Sequence, residues 1–227
     1  MDFATLMGPA VVAAGVSGVI TVVGMLITKS TTIGVHREKI QADQELARQK
    51  FDYDKQQAIF KRRFELAEQI LTDAYKFRSL MNYVRNGAAF GNEGSTRQAA
   101  EQESDNLKHR RDVYFVPLER LIRENDFLGA MFARSDASQA HFGPNAKEAY
   151  ALMQQSVTRV RVASSMLVEK TNEYATMDAK LIRKLECDIW AGMAEVEDDG
   201  KDRITADIET AVALIEEICG PVLKWLG

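Results

Sequence analysis

Proline and glycine are scarce in this chain. Four prolines and fourteen glycines in 227 residues leave long stretches with nothing to interrupt a helix. Two cysteines, Cys187 and Cys219, are too few for a disulfide framework and suit a reducing compartment. Positive charge is not in excess either. A net charge of -4 gives no general attraction to phosphates, so nucleic acid is not an expected partner. No strand-like alternation of apolar and polar residues occurs, and from Phe3 to Thr28 there is no charged residue at all.

What is abundant points one way. Ala, Glu, Gln, Lys, Arg, Leu and Met lose least on entering a helix, so the expected fold class is all-α. A mass of 25.4 kDa suffices for one domain with a real core plus an anchor.

The segment 1–28, uncharged from Phe3 onward, reads as a single transmembrane anchor. Its run from Leu6 to Thr28 spans about 35 Å as a helix, enough for a hydrocarbon core of about 30 Å. A cleaved signal peptide would want a basic start and a small-residue cleavage site, whereas this run begins with Asp2 and passes through Lys29 into a helix-forming sequence. Lys29, Arg37, Lys39, Arg48 and Lys50 all follow the run. Basic flanks resist translocation, which predicts an outside N-terminus and a cytoplasmic bulk at the plasma (inner) membrane. Ala10, Ala14 and Gly18 fall four apart on one face and are the candidate helix–helix contact in lipid. Ser17, Thr21, Gly24 and Thr28 form a second, polar-tinged stripe.

Residues 29–58 read as a juxtamembrane helical stalk. Lys39 and Asp43, Arg48 and Asp52, and Lys50 and Asp54 are pairs four apart that support a solvated helix. Ile40, Leu46 and Phe51 keep no clean heptad, so a lone or loosely paired helix is expected rather than a tight coiled coil.

Residues 59–227 read as an antiparallel up-down four-helix bundle with long helices. The first carries the stripe Phe60, Phe64, Ala67, Leu71, Ala74, Phe77, Met81 and Val84, and ends at Gly87, Gly91 and Gly94. Ser95 with Gln98 predicts a second helix from about Thr96 to Arg134, with Leu107, Tyr114, Leu121 and Leu128 at seven-residue spacing and Pro117 kinking or splitting it. Ser135 to Gly143 is expected to be a connector, and Pro144 to open a third helix from about Ala146 to Val196. Its series is Val160, Leu167, Tyr174 and Leu181. Asp202 should cap the last helix, striped by Ile204, Ile208, Ala211, Ile215, Ile218 and Val222. The basic run Lys61, Arg62 and Arg63 and the acids from Glu186 to Glu217 are expected to be solvated faces.

No constellation for chemistry stands out. Ile33, Asn106 and Ser138 precede the three histidines where a di-iron bundle needs Glu. Asp105 and His109, near Glu101, could share a metal, but Lys108, Arg110 and Arg111 crowd them. Glu195, Glu197, Asp199 and Gly200 resemble half of a calcium loop whose last ligand position is Ala206. The Gly87 to Thr96 glycines lack a phosphate-loop ending, and Phe60, Phe64, Tyr114 and Tyr174 sit on packing stripes. Straight antiparallel arms would keep Cys187 and Cys219 apart.

No cofactor, metal or small-molecule substrate is therefore expected. The reading is a non-enzymatic, membrane-anchored interaction protein: a scaffold, adaptor or accessory subunit that binds the lipid bilayer and a protein partner or itself. Two alternatives stand beside it. One is an oligomeric membrane effector or small channel with a cytosolic sensing bundle, Ser17, Thr21 and Thr28 lining the contact. The other is an enzyme whose site is assembled from residues distant in sequence.

Overall fold

A computed structural model of the chain describes residues 9–99, 103–173, 177–193 and 202–224. It is all-helical, with no strand among the described residues. Its elements are α1 (Pro9–Val84), α2 (Asp105–Arg123), α3 (Asn125–Phe132), α4 (Ser135–Phe142), α5 (Pro144–Lys170), a 3-10 turn (Thr171–Glu173), α6 (Ala179–Ile189) and α7 (Arg203–Leu223). The chain forms two compact units, Met1–Phe60 and Lys61–Gly227.

In the first unit α1 is uninterrupted, and none of the residues in its apolar window is buried among the described residues. Length and composition suffice for this helix to cross a membrane.

The second unit is built on the apolar periodicity of its helices. Ala67, Ala74, Phe77, Met81 and Val84 of α1 are fully or almost fully buried, joined by Ile70. They share one core with Leu121, Leu128 and Met131, with Met153, Val157 and Val160 of α5, and with Ile204, Ile208, Ala211 and Ile215 of α7. Ile218 and Val222 pack at its edge. A second cluster joins Tyr114, Ala163, Leu167, Leu185 and Ile189. Polar cross-links give the helix directions. Along α1, Tyr75, Arg78 and Arg85 bond in turn to Glu216, Glu209 and Asp202 (2.8, 3.2 and 2.9 Å), so the two helices run antiparallel. The backbone carbonyl of Tyr114 accepts from Ser164 Oγ, and Asn125 accepts from Arg161, so α2–α3 and α5 are antiparallel too.

Several boundaries differ from the expectation, each for a local reason. The second helix begins at Asp105, not near Thr96. Ser95 donates its hydroxyl to the Asn92 carbonyl instead of capping, and Arg97 turns into Glu103 and Asp112, so 87–99 forms successive turns. The helix also breaks at Glu124. Pro117 lies inside α2 without ending it, and next to the Val113 carbonyl that a proline at 117 leaves without its helical donor, the Tyr114 carbonyl is bonded by Ser164. The expected connector 135–143 is a helix, α4, whose Ser138 hydroxyl bonds back to the Arg134 carbonyl. It stops at Gly143, where φ is 86°.

The long third helix is divided. Its start at Pro144 agrees with expectation, but α5 ends at Lys170 and α6 begins only at Ala179. The intervening Thr171, Asn172 and Asp178 are poor helix formers. The Thr171 hydroxyl bonds the Leu167 carbonyl, and Asp178 caps α6 by accepting from the Lys180 N–H at 3.0 Å. Consequently Leu181 is exposed while Val160 and Leu167 are buried. Tyr174 and the acidic turn Glu195 to Gly200 lie outside the described residues. Asp202 caps α7 as expected, accepting from the Thr205 N–H at 3.1 Å. Pro221 sits in the last turn of that helix.

Candidate functional site

The residues singled out for contact in lipid all lie on α1. The side chain of Ala10 is outside the described set; Ala14 and Gly18 are exposed. Among the described residues, a Cβ added at Gly15, Gly18 or Gly24 would meet no atom within 4 Å. Ser17, Thr21 and Thr28 each donate to the carbonyl four residues back (2.9, 2.8 and 2.9 Å). Their hydroxyls are satisfied inside the helix, which lets them sit in an apolar environment without a further partner.

In the second unit the charged groups that matter are turned inward. Arg85, at the end of α1, is 1% exposed. Its guanidinium donates to the carbonyls of Cys187 and Asp188 (2.9 and 3.0 Å), to Thr205 Oγ1 (3.1 Å) and to Asp202 Oδ1 (2.9 Å). One side chain thereby ties the C-terminal carbonyls of α6 to the N-cap of α7. Burial pushes the Asp202 carboxyl up, but Arg85 and the Thr205 N–H outweigh it and leave the group below its ordinary value.

Arg120, also 1% exposed, organises the connector after α1. It donates to the carbonyls of Tyr83, Asn86 and Ala88 (2.8, 2.9 and 2.8 Å) and to both oxygens of Glu93 (3.0 and 2.5 Å), while its plane lies 4.6 Å from the centre of the Tyr83 ring. Glu93 further accepts from Tyr83 Oη and the Phe90 N–H. Arg120 holds the Glu93 carboxyl down at about 2 despite the opposing effect of burial. Beside it the Gly94 N–H donates to Glu119, which also pairs with Arg123. A third cluster joins Arg97 and Arg111 through Glu103, which is likewise held at about 2, chiefly by Arg97.

The first two clusters are closed, whereas in the third the buried Arg111 Nε has no hydrogen-bond partner among the described residues. Arg85 and Arg120 each direct every guanidinium nitrogen to a carbonyl, hydroxyl or carboxylate of the chain, which is the geometry of a staple and leaves no fork to grip a ligand. The interior gap lined by Ile70, Asp73, Met131, Tyr150 and Ile215 is too small to admit a water molecule. On its rim burial raises the Asp73 carboxyl, and Arg134, bonded to it at 2.8 Å, partly offsets this. Asp105 and His109 stand on α2, and no group of three or more metal-binding side chains occurs among the described residues. Cys187 and Cys219 are buried and form no disulfide.

The expectation of solvated charge missed Arg85, Arg120 and Glu119. A signal was present: Arg85 follows Met81 by four residues, and Arg120 follows Val116 by four and Pro117 by three, so each shares a helix face with buried apolar residues. Compared with known proteins, the chain matches no family model, no curated protein and no solved structure at a significant level.

Proposed function

We propose that this chain is a membrane-anchored interaction protein, in which a single N-terminal transmembrane helix and a helical stalk carry a cytosolic helical domain that docks partners at the bilayer. The observation that carries the reading is the absence of burial along the apolar half of α1. A core helix of a water-soluble protein hides such a stretch inside its own fold; here Val19, Ile20, Met25, Leu26 and Ile27 are all more than 60% exposed. That much apolar surface needs a nonaqueous surrounding, and its length matches a bilayer. The basic residues from Lys29 onward support a cytosolic side of the plasma (inner) membrane for the following domain. The antiparallel cross-links of α1 with α7 and of α2–α3 with α5 support an up-down four-helix bundle, with α4 and α6 as additions. The closed ion-pair clusters favour a rigid presenting surface over a reaction centre. The hydroxyls of Ser17, Thr21 and Thr28, each bonded to its own helix, give no support to a channel.

The test has two readouts. The full chain should stay in the membrane pellet through carbonate extraction, and a reporter fused after Gly227 that works only in an oxidising exterior should stay silent. Release by carbonate would overturn the anchor, and an active reporter would overturn the orientation. Native-membrane pull-down in mild detergent, with the subunit count measured, should then give a complex heavier than one chain.

A further inference from the structure

We propose that the stalk is a self-association seam on which a second copy of this chain packs in parallel; this rests on the membrane-anchored reading above. Ala42, Leu46, Gln49, Tyr53 and Gln56 follow one another at alternating steps of four and three residues, the spacing of a heptad seam. Leu46 and Tyr53 are 66% and 65% exposed among the described residues. Counting only large apolar residues hides this register, because Ile40 and Phe51 lie off the seam and the layers between its large side chains are alanine and glutamine.

The glutamines identify the occupant. In a parallel pair of identical helices each layer faces itself. Glutamine offers both donors and an acceptor, so Gln49 and Gln56 can each pair with their own copy, as Leu46 and Tyr53 can pack on theirs. Ala42 is small enough to let the two backbones approach. The flanking charges agree. In the same frame Glu45 and Lys50 occupy the two edge positions that meet across a parallel pair, giving one opposite-charge contact on each side. One layer before Ala42 the charges are less favourable: Lys39 would face its own copy and Glu38 would meet Asp43 of the copy, so that layer is balanced only by the four carboxylates around the two ammonium groups. A membrane anchor supplies the parallel orientation, since every copy inserts the same way, and it raises the local concentration. Continued toward the N-terminus, the same alternation reaches Val35, Thr28, Thr21, Gly18 and Ala14, so the register does not have to shift on entering the apolar segment.

Single-cysteine scanning of the full chain in native membranes tests this, with the unsubstituted chain setting the background from buried Cys187 and Cys219. Under mild oxidation Gln49→Cys should give a covalent species of twice the chain mass, several-fold more than Gln44→Cys on the opposite side of the helix. Chains carrying two different tags should be found together in that species. Equal yields at the two positions, no dimer at Gln49→Cys, or an adduct of another mass at Gln49→Cys would overturn the second-copy seam while leaving the anchor standing. Loss of the unsubstituted chain from the membrane pellet would overturn the anchor and the seam together.

Discussion

Removing the Arg120 side chain should be among the most damaging single changes in the unit Lys61–Gly227. Arg120→Ala strips a guanidinium that is 1% exposed from a Glu93 side chain that is 8% exposed. Breaking a buried pair from one side costs roughly 3 to 5 kcal/mol, because the remaining charge is left in a poor solvent. The carbonyls of Tyr83, Asn86 and Ala88 lose their donor as well, though water entering the vacated space can replace part of that. For a domain of this size each kcal/mol moves the melting temperature by about 2 to 4 °C, so a fall of roughly 10 °C is expected. Thermal unfolding of the full chain in mild detergent, followed by circular dichroism, measures it. Adding Glu93→Gln to Arg120→Ala should recover part of the loss, because the amide carries no charge and still accepts a hydrogen bond. If Arg120→Ala melts within about 1 kcal/mol of the parent, the cluster is solvated and the staple argument fails.

Further changes probe other parts of the fold. The Glu93 carboxyl is depressed from 4.5 to about 2, so the stability it lends is complete above pH 4.5 and disappears as pH falls through about 2; acid titration of the parent should show this loss, and Glu93→Gln should lack it. Gly94→Ala should destabilise far more than Gly91→Ala. Both glycines have positive φ, but a Cβ at Gly94 would collide with the Asp112 carbonyl whereas one at Gly91 meets open space; equal melting of the two variants would contradict this. Ile208→Asp puts an unpartnered carboxylate at a position 3% exposed and should cost several kcal/mol, measured by the same melt. The Cys219 thiol, pushed up to about 11 by burial, should resist alkylation at pH 8 in the folded chain and react once denaturant is added.

What could be read from sequence was whatever depends on periodicity within one helix. The isoleucine stripe of α7, its Asp202 cap, the Pro144 start and the core positions from Ala67 to Val84 are all local patterns, and the structure keeps them. What could not be read depends on where chain segments return. Ser95 looks like a cap until its hydroxyl is found on Asn92 and its neighbour Arg97 on Glu103. Thr171 to Asp178 looks like a tolerable stretch of a long helix, but α5 gives way to a 3-10 turn at Thr171–Glu173 and Asp178 caps a new helix by accepting from the Lys180 N–H. The contact face proposed for Ala10, Ala14 and Gly18 follows from spacing alone; the single chain brings nothing against it.

The two units divide their chemistry in opposite ways. In Lys61–Gly227 arginine and glutamate are drawn inside, because the connectors after α1 and α6 expose helix-end carbonyls that only strong donors can satisfy. In Met1–Phe60 valine, isoleucine, leucine and tyrosine are left outside. Buried charge that is fully paired stabilises a fold without needing anything further from its surroundings, whereas exposed apolar surface is stabilised only by something outside the chain. The surfaces that call for something outside the chain are therefore those of the first unit: in the function proposed above, a bilayer for the uncharged segment, and for the stalk a partner able to match both glutamine and leucine at heptad spacing.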